Sequence, residues 1–343
     1  MFYRGRMTEH PDWLAVDTSA ADSIDATTLH DGVSDGVRIV TLRAGDFEAT
    51  ICPTRGLGVL SLDRVGSDPI RAAWTSPIAG PVHPQWVDLG SRGGLGWLDG
   101  FTELVARCGL SFNGPPGHDE NAPPLEERIT LHGRIANRPA SDVRVTGDGE
   151  AVAISGTVRE VTLFGAHLEL RSTIRLSDDG TLAIEDTVTN RSARPAEMQL
   201  LYHINLDPHC VGERPTLTTP GGEVEPRDAA PEAGFADWRS IDPPADGYAE
   251  QVFFVTPEGG GGFSTTRLSG DRGGVEVSQR TETLPHLAIW KCLQPRVDGY
   301  VLGIEPATGF PNFKAEERKA GRVVRLKPGQ SRLHEVTIRI ASD

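Results

Sequence analysis

The fold class is decided by residues 142–190, which read DVRVTGDGEAVAISGTVREVTLFGAHLELRSTIRLSDDGTLAIEDTVTN. Four runs in this segment alternate apolar and polar residues, which is the period of strands with one buried face. Between the runs lie DGE at 148–150 and DDG at 178–180, both typical of tight turns. The segment therefore predicts an antiparallel meander that forms one sheet of a β-sandwich.

The chain on both sides of this segment continues the pattern. Short alternating runs occupy residues 36–63, and a second strand-rich block, with runs such as QVFFV, LAIWKCL, YVLGIEP and LHEVTIRI, extends from residue 199 to the C-terminus. Helices and strands do not alternate, so a parallel α/β fold is not expected. We predict one all-β domain over residues 1–343, a large antiparallel β-sandwich with few short helices. Residues 1–35 are expected to form a peripheral arm or an edge strand.

The segment between residues 70 and 127 has a different texture, rich in glycine, proline and tryptophan. One short helix is predicted in it, over GWLDGFTELVARCGL at residues 96–110. Long irregular segments in compact domains often act as lids or binding loops.

The composition of the 343 residues excludes several classes of function. A net charge of −14 argues against binding to nucleic acid or to an anionic membrane surface. The four cysteines form no C-x-x-C pair, which argues against the common zinc and redox motifs. The N-terminus has no apolar signal region, and no apolar run is long enough to span a bilayer, so we expect a soluble cytoplasmic protein.

Three polar clusters interrupt the apolar strands. They are LHGRIAN at 131–137, LLYHINLD at 200–207 and YVLGIEP at 300–306. In the second cluster, His203, Asn205 and Asp207 share one strand face, which is either solvated or the wall of a polar cavity. Glu305 follows an apolar run, and desolvation there would raise the pKa of its carboxyl and make it a stronger base. A strand-end salt bridge is the other interpretation of Glu305.

Taken in order, these clusters resemble the aldose 1-epimerase (galactose mutarotase) family. YHINL at 202–206 is similar to that family's histidine strand, GIEP at 303–306 to its strand ending in the catalytic glutamate, and LHGRIAN to its earlier histidine–glycine segment. The chain resembles more closely an uncharacterised aldose-epimerase-like branch, through segments such as PTRGLGV (53–59), GLGWLDGF (94–101) and LPHLAIWK (284–291).

The resemblance implies an isomerase that interconverts sugar anomers without a metal or an organic cofactor. It implies Glu305 as general base, His203 as general acid and His132 as an assisting group. Arg134 and Asn205 would hold sugar hydroxyls, and the secondary candidates for substrate contact are Arg55, Glu250, Gln251, Trp290 and Lys291. The expected partner is a small-molecule sugar, bound by a monomer or a homodimer.

Two cationic residues and two alternative functions leave the substrate and the reaction open. The cations Arg134 and Lys291 favour an acidic or oxidised sugar over a neutral hexose. A metal-dependent sugar epimerase, isomerase or lyase on the same scaffold is an alternative, with His132, His203 and Glu305 as ligands of a divalent ion. A non-catalytic carbohydrate-binding protein is a second alternative.

Overall fold

The computed structural model describes residues 10–122, 126–228, 238–258 and 262–341. These residues form 23 strands: β1 (Ala15–Val16), β2 (Ile24–Thr28), β3 (Arg38–Ala44), β4 (Phe47–Cys52), β5 (Gly58–Arg64), β6 (Ile70–Arg71), β7 (Val105–Leu110), β8 (Gly117–His118), β9 (Arg128–Ile129), β10 (Ser141–Gly147), β11 (Ala151–Val161), β12 (His167–Ser177), β13 (Thr181–Asn190), β14 (Ala196–Leu206), β15 (Thr216–Thr218), β16 (Gly222–Pro226), β17 (Gln251–Pro257), β18 (Phe263–Gly270), β19 (Gly273–Arg280), β20 (His286–Cys292), β21 (Val301–Ala307), β22 (Val324–Leu326) and β23 (Ser331–Ala341).

The strands build two large sheets. The first has nine strands in the order β1-β10-β11-β12-β13-β23-β19-β18-β15, and the second has twelve, with the main path β16-β17-β20-β21-β14-β7-β5-β4-β3-β2. Strands β10 to β13 pair antiparallel with their sequence neighbours, so the meander predicted from residues 142–190 is confirmed. The predicted all-β sandwich is confirmed as well.

The helical segments are short. The α-helices of the described residues are α1 (Ser91–Gly94) and α2 (Lys314–Lys319), and 3-10 turns occupy Thr18–Ser23, Gly32–Ser34, Pro84–Trp86, Gly96–Gly100, Ile135–Asn137, Pro208–Val211 and Arg296–Asp298.

The helix predicted over residues 96–110 is wrong. Only the 3-10 turn Gly96–Gly100 is helical, and the rest of the run enters β7, which pairs with β14 and β5. All six residues of β7 are buried, and a strand buried on both faces loses the alternation that separates it from a helix.

The N-terminal region contributes to an end of each sheet. Strand β1 pairs in parallel with β10, and β2 pairs antiparallel with β3 at the end of the twelve-stranded sheet. Residues 1–9 of the predicted arm lie outside the described part of the chain.

The core lies between the two sheets, and β14 shows how the twelve-stranded sheet divides its faces. Met198, Leu200, Tyr202, Ile204 and Leu206 join the main apolar cluster. The residues between them point to the other face, where Leu201 packs in a second cluster with Trp74, Trp97 and Phe101. The irregular segment between β6 and β7 therefore covers this second face, and the polar residues of β14 lie beneath it.

Candidate active site

Glu305 and His203 face each other across two neighbouring strands of the covered face. In the β14–β21 ladder Leu201 pairs with Ala307 and Ile204 with Ile304. This register sets His203 opposite Glu305, and His203 Nε2 lies 3.3 Å from Glu305 Oε1. The two side chains are 7% and 3% exposed, so an acid and a base from strands a hundred residues apart are brought together out of water.

Gly303 makes room for this carboxylate. A Cβ atom at residue 303 would lie 2.6 Å from Glu305 Oε1 and 3.0 Å from Trp290 Cβ. Glycine at this position therefore leaves room for Trp290 on β20 beside Glu305 on the neighbouring strand β21.

Burial changes the protonation of both partners. Burial raises the pKa of Glu305 to about 8, and the negative charge of Glu250 adds to the shift. Burial also lowers the pKa of His203 to about 4. Both shifts disfavour the charged form, as expected for groups removed from water. Near neutral pH the pair therefore retains one proton, and both pKa shifts place it on Glu305.

His132 approaches the pair from a tight turn. Its backbone has φ 55°, and Gly133 follows with φ 73°. A Cβ atom at residue 133 would lie 2.4 Å from the carbonyl oxygen of Gly109, so only glycine fits. The His132 ring lies 5.5 Å from the His203 ring. Burial and the neighbouring His203 hold the pKa of His132 well below its usual value, which makes it a neutral hydrogen-bonding group.

Aromatic side chains line the site around His203. The ring centroids of Phe101, Trp290 and Trp97 lie 4.9, 5.2 and 6.0 Å from its ring. Trp290 Nε1 donates to Glu250 Oε2 at 3.0 Å, and Arg227 donates to the other oxygen of Glu250 at 2.9 Å. Apolar rings with a few directed polar groups are typical of sugar and other small-molecule sites.

Several polar atoms here have no hydrogen-bond partner among the described residues. They are Glu305 Oε1, His132 Nδ1 and Trp97 Nε1. Buried polar groups are normally paired, so unpaired ones in a lined site favour a ligand that completes them.

Comparison with known proteins adds the family. The profile of the domain of unknown function DUF4432 matches residues 34–340. The chain belongs to the DUF4432 family. A candidate aldose 1-epimerase from Klebsiella pneumoniae is 30% identical, with 93% of this chain and 83% of that one covered and a TM-score of 0.86. No curated protein sequence matches the chain.

Two more distant structures share the fold. A galactose mutarotase-like protein from Clostridium acetobutylicum is 16% identical, covers 93% of this chain and 98% of its own, and gives a TM-score of 0.64. Galactose 1-epimerase from Lactobacillus acidophilus is 12% identical over 93% and 98% of the two chains, with a TM-score of 0.62. The DUF4432 member thus has a galactose mutarotase-like fold, as the sequence resemblance predicted.

The site of this DUF4432 member keeps Trp290 and Glu250 of the secondary candidates but not Gln251 or Lys291. Gln251 pairs directly with Lys291 in the β17–β20 ladder, so both lie on the opposite face from Trp290. Lys291 is buried over the ring of Phe253 in the core. The expectation that Lys291 and Gln251 contact substrate is therefore not supported by this register.

The two arginine candidates, Arg55 and Arg134, bind other protein groups through their guanidinium groups. Arg55 is buried, with its guanidinium bound to the Glu103 carboxylate, the Val82 carbonyl and Asn137. Arg134 donates to Thr162 at 3.0 Å and to Glu126 at 3.3 Å. Except for Glu126, eight residues before Arg134, these partners lie far away in sequence, which is why the local motifs did not reveal the pairings.

Asn205 contacts His203, with every one of its polar atoms satisfied within the protein. The structure therefore places Asn205 against His203, and its predicted contact with substrate stays a prediction. Sequence reasoning missed Arg227 as a site residue, and it gave Trp97 and Phe101 only within the shared segment GLGWLDGF (94–101), with no role.

The described residues do not form the metal site that the alternative function would need. Within the described ranges no group of three His, Cys, Asp or Glu side chains is placed to hold a metal ion. His132, His203 and Glu305 are neighbours, but they do not converge on one ligand position. None of the helices in the described part of the chain is long and apolar enough to span a bilayer.

Proposed function

We propose that the protein is a cofactor-free aldose 1-epimerase that interconverts the anomers of a neutral sugar. The observation that carries the proposal is the buried His203–Glu305 contact, in which Oε1 lies 3.3 Å from His203 Nε2 and has no hydrogen-bond partner among the described residues. General acid–base chemistry needs two such groups within reach of one substrate. The 30% identity to a candidate aldose 1-epimerase supports the same class.

The reaction needs one proton to leave O1 and another to reach the ring oxygen. In the proposed step the Glu305 carboxylate takes the O1 proton while His203 Nε2–H protonates the ring oxygen. The C1–ring-oxygen bond breaks, and the electron pair of the O1–H bond forms the aldehyde carbonyl. Rotation about the C1–C2 bond and reversal of both proton transfers closes the ring on the other face of C1 and restores the pair.

The shifted pKa values place the proton of the pair on Glu305 at rest, so ring opening in the proposed cycle follows its transfer to His203. The form needed for ring opening has a proton on His203, and the form left afterwards has a proton on Glu305. Both forms hold the same number of protons, so the 3.3 Å contact interconverts them without exchange with solvent. The pH range in which the pair holds one proton is bounded by the lowered pKa of His203 and the raised pKa of Glu305.

The charges around the site support a neutral substrate. Arg134 is paired with Glu126, and Lys291 lies on the other face of β20. The carboxylate of Glu250 stands at the rim, with Arg227 already bound to it. An anionic sugar would meet Glu250 and Glu305, and within the described residues the cations Arg227, Arg134 and Lys291 are held by other contacts or face away, so we expect a neutral aldose to be preferred.

The test is ¹H NMR in D₂O with a panel of aldoses, uronic acids and keto-sugars. We expect faster α/β exchange of a neutral aldose, no deuterium at carbon, and a loss of roughly 10²–10⁴-fold in Glu305→Gln. Deuterium entering beside the carbonyl would overturn the proposal in favour of an epimerase, isomerase or lyase. Tight binding with no gain in exchange rate would favour a carbohydrate-binding protein instead.

A further inference from the structure

Asn205 lies directly beside the catalytic histidine and is fully buried. Its Nδ2 group donates to the backbone carbonyls of Glu103 at 3.0 Å and His203 at 3.1 Å. The reversed amide would place Oδ1 against two carbonyl oxygens and leave its N–H groups facing the imidazole. The orientation of the amide is therefore fixed, and Oδ1 faces His203 Nδ1 at 2.7 Å.

An amide oxygen only accepts hydrogen bonds, so the nitrogen that faces it must donate. We infer that Asn205 holds His203 in the Nδ1–H tautomer, which leaves Nε2 as the single atom through which the imidazole exchanges the proton it shares with Glu305. In the neutral ring the Nε2 lone pair then points toward the carboxyl. In the imidazolium the same atom carries the proton offered to a substrate.

The contact that orients Asn205 is itself anchored. The Glu103 carbonyl that accepts from Asn205 also accepts from Trp74 Nε1 at 3.2 Å. The side chain of Glu103 is held by the buried guanidinium of Arg55 and by the backbone N–H of Thr102. Arg55 thus acts three contacts away from His203, through Glu103 and Asn205, as a support for the residue that positions the ring.

The tautomer matters because the opposite one would disable the pair. With the proton on Nε2 in the neutral ring, that nitrogen would have no lone pair left to take the proton of the Glu305 carboxyl. Nδ1 would then present a lone pair to Oδ1, and two acceptors would oppose each other at 2.7 Å. The contact with Asn205 therefore favours Nδ1–H, and histidine tautomers are commonly set by the partner of the second nitrogen.

Other titratable and charged groups surround the pair, and they bear on any pH effect. They are His132 from the turn, Cys108 from β7, Glu250 and Arg227 at the rim, and the Arg55–Glu103 ion pair. None of these side chains forms the hydrogen bond to His203 Nδ1, because Asn205 Oδ1 occupies that position.

Nitrogen-15 NMR of the histidine rings tests the inference on the ligand-free protein. Long-range ¹H–¹⁵N correlations in histidine-labelled protein, with His203→Gln to assign the signal, report which ring nitrogen carries hydrogen. We expect Nδ1–H in the wild type and in Asn205→Asp, because a carboxyl keeps an acceptor at this position whether or not it is ionised. Asn205→Leu should lose the Nδ1–H form and lower the rate of anomer exchange by about tenfold or more.

Asn190→Leu is the matched control, because Asn190 is an equally buried asparagine that bonds to the carbonyls of Arg194 and Leu326 in another part of the fold. It should leave the His203 tautomer unchanged. An Nε2–H signal in the wild type, or Nδ1–H retained in a folded Asn205→Leu, overturns the inference.

The part of the inference about proton exchange rests on the proposed function, but the tautomer is measured without any substrate. Nδ1–H in the wild type with no anomer exchange on any sugar would reject the function and keep the tautomer. Full exchange activity with the Nε2–H form would reject the role of Asn205 and keep the function.

Discussion

Two buried polar clusters stand back to back on β14, one on each face of the strand. Tyr202 points between the sheets and donates to Asp186, which also binds the guanidinium of Arg107. His203, the next residue, points to the covered face and meets Glu305. The first cluster is an ion pair supported by hydrogen bonds, and the second is an acid and a base whose burial favours the neutral forms.

The difference lies in how far the hydrogen-bonding capacity of each cluster is used. Besides Asp186, the guanidinium of Arg107 binds the carbonyls of Gly56 and Leu57 and the hydroxyl of Ser172. In the site, Glu305 Oε1 and His132 Nδ1 lack a hydrogen-bond partner among the described residues. A satisfied buried cluster ties two sheets together, whereas a cluster left incomplete is retained for a ligand.

His334 is an exception on the side of the core. It pairs with Asp186 in the β13–β23 ladder, and neither ring nitrogen has a side-chain hydrogen-bond partner among the described residues. Burial lowers the pKa of His334 to about 4. An unsatisfied polar atom therefore indicates a site only when, as at Glu305, it borders a lined site with other reactive groups.

The largest expected contrast comes from the same change made in each cluster. Asp186→Asn leaves the buried guanidinium of Arg107 without its counter-charge and should lower the free energy of unfolding by roughly 3 kcal/mol. Glu305→Gln removes a carboxyl whose ionisation burial opposes, so it should raise the free energy of unfolding at neutral pH while abolishing most activity. Urea denaturation and the anomer exchange assay measure both effects, and a similar loss of stability in the two variants would remove the contrast.

The strands of this fold could be predicted from the sequence, whereas the candidate site could be predicted only in part. Residues 142–190 pair with their sequence neighbours, so local alternation and turns were enough. The His203–Glu305 contact depends on a ladder between strands a hundred residues apart, and it was reached through the family resemblance alone. Only β14, β21 and their register bring these two residues together.

One error could have been avoided from the sequence. Trp290 and Lys291 are adjacent in a strand, and strand geometry puts adjacent side chains on opposite faces. Both could not line one site, and the surrounding apolar residues did not show which of the two would. The hydrogen bonds of Arg55 and Arg134 could not be predicted from local sequence, because tertiary packing brings Glu103 to Arg55 and Thr162 to Arg134.

The second contrast is in how stability depends on pH. The carboxyl of Glu305 ionises near pH 4.5 in an unfolded chain and at about pH 8 in the folded protein. Between these values the folded state keeps a proton that the unfolded state has released, so the wild type loses stability as pH rises. The stability advantage of Glu305→Gln should therefore grow through this range, by on the order of 1 kcal/mol per pH unit at most, and level off above it.

Urea unfolding of the two proteins in matched buffers measures this difference, and groups common to both cancel in it. Asp186→Asn serves as the comparison from the other cluster. An advantage of Glu305→Gln that is constant with pH would mean that Glu305 ionises in the folded protein as it does in water.

The smallest expected effect concerns the charge preference of the substrate. Arg134→Gln removes a cation that the sequence suggested for an acidic sugar and that the structure pairs with Glu126 and Thr162. Such a partly exposed pair contributes about 1 kcal/mol or less to stability. The ratio of kcat/KM for a hexose to that for the matching uronic acid should stay within about twofold of the wild type, because a residue that does not reach the substrate cannot discriminate between sugars.

Arg144→Gln is the control for losing a surface arginine, since Arg144 lies on β10 with only a 3.9 Å contact to Asp17. A tenfold loss confined to the uronic acid in Arg134→Gln, absent from Arg144→Gln, would mean that the guanidinium leaves Glu126 to bind substrate. That outcome would make Arg134 a substrate-binding residue rather than one whose hydrogen bonds are all made within the protein. It would also show that a pairing seen without substrate does not by itself exclude a side chain from the site.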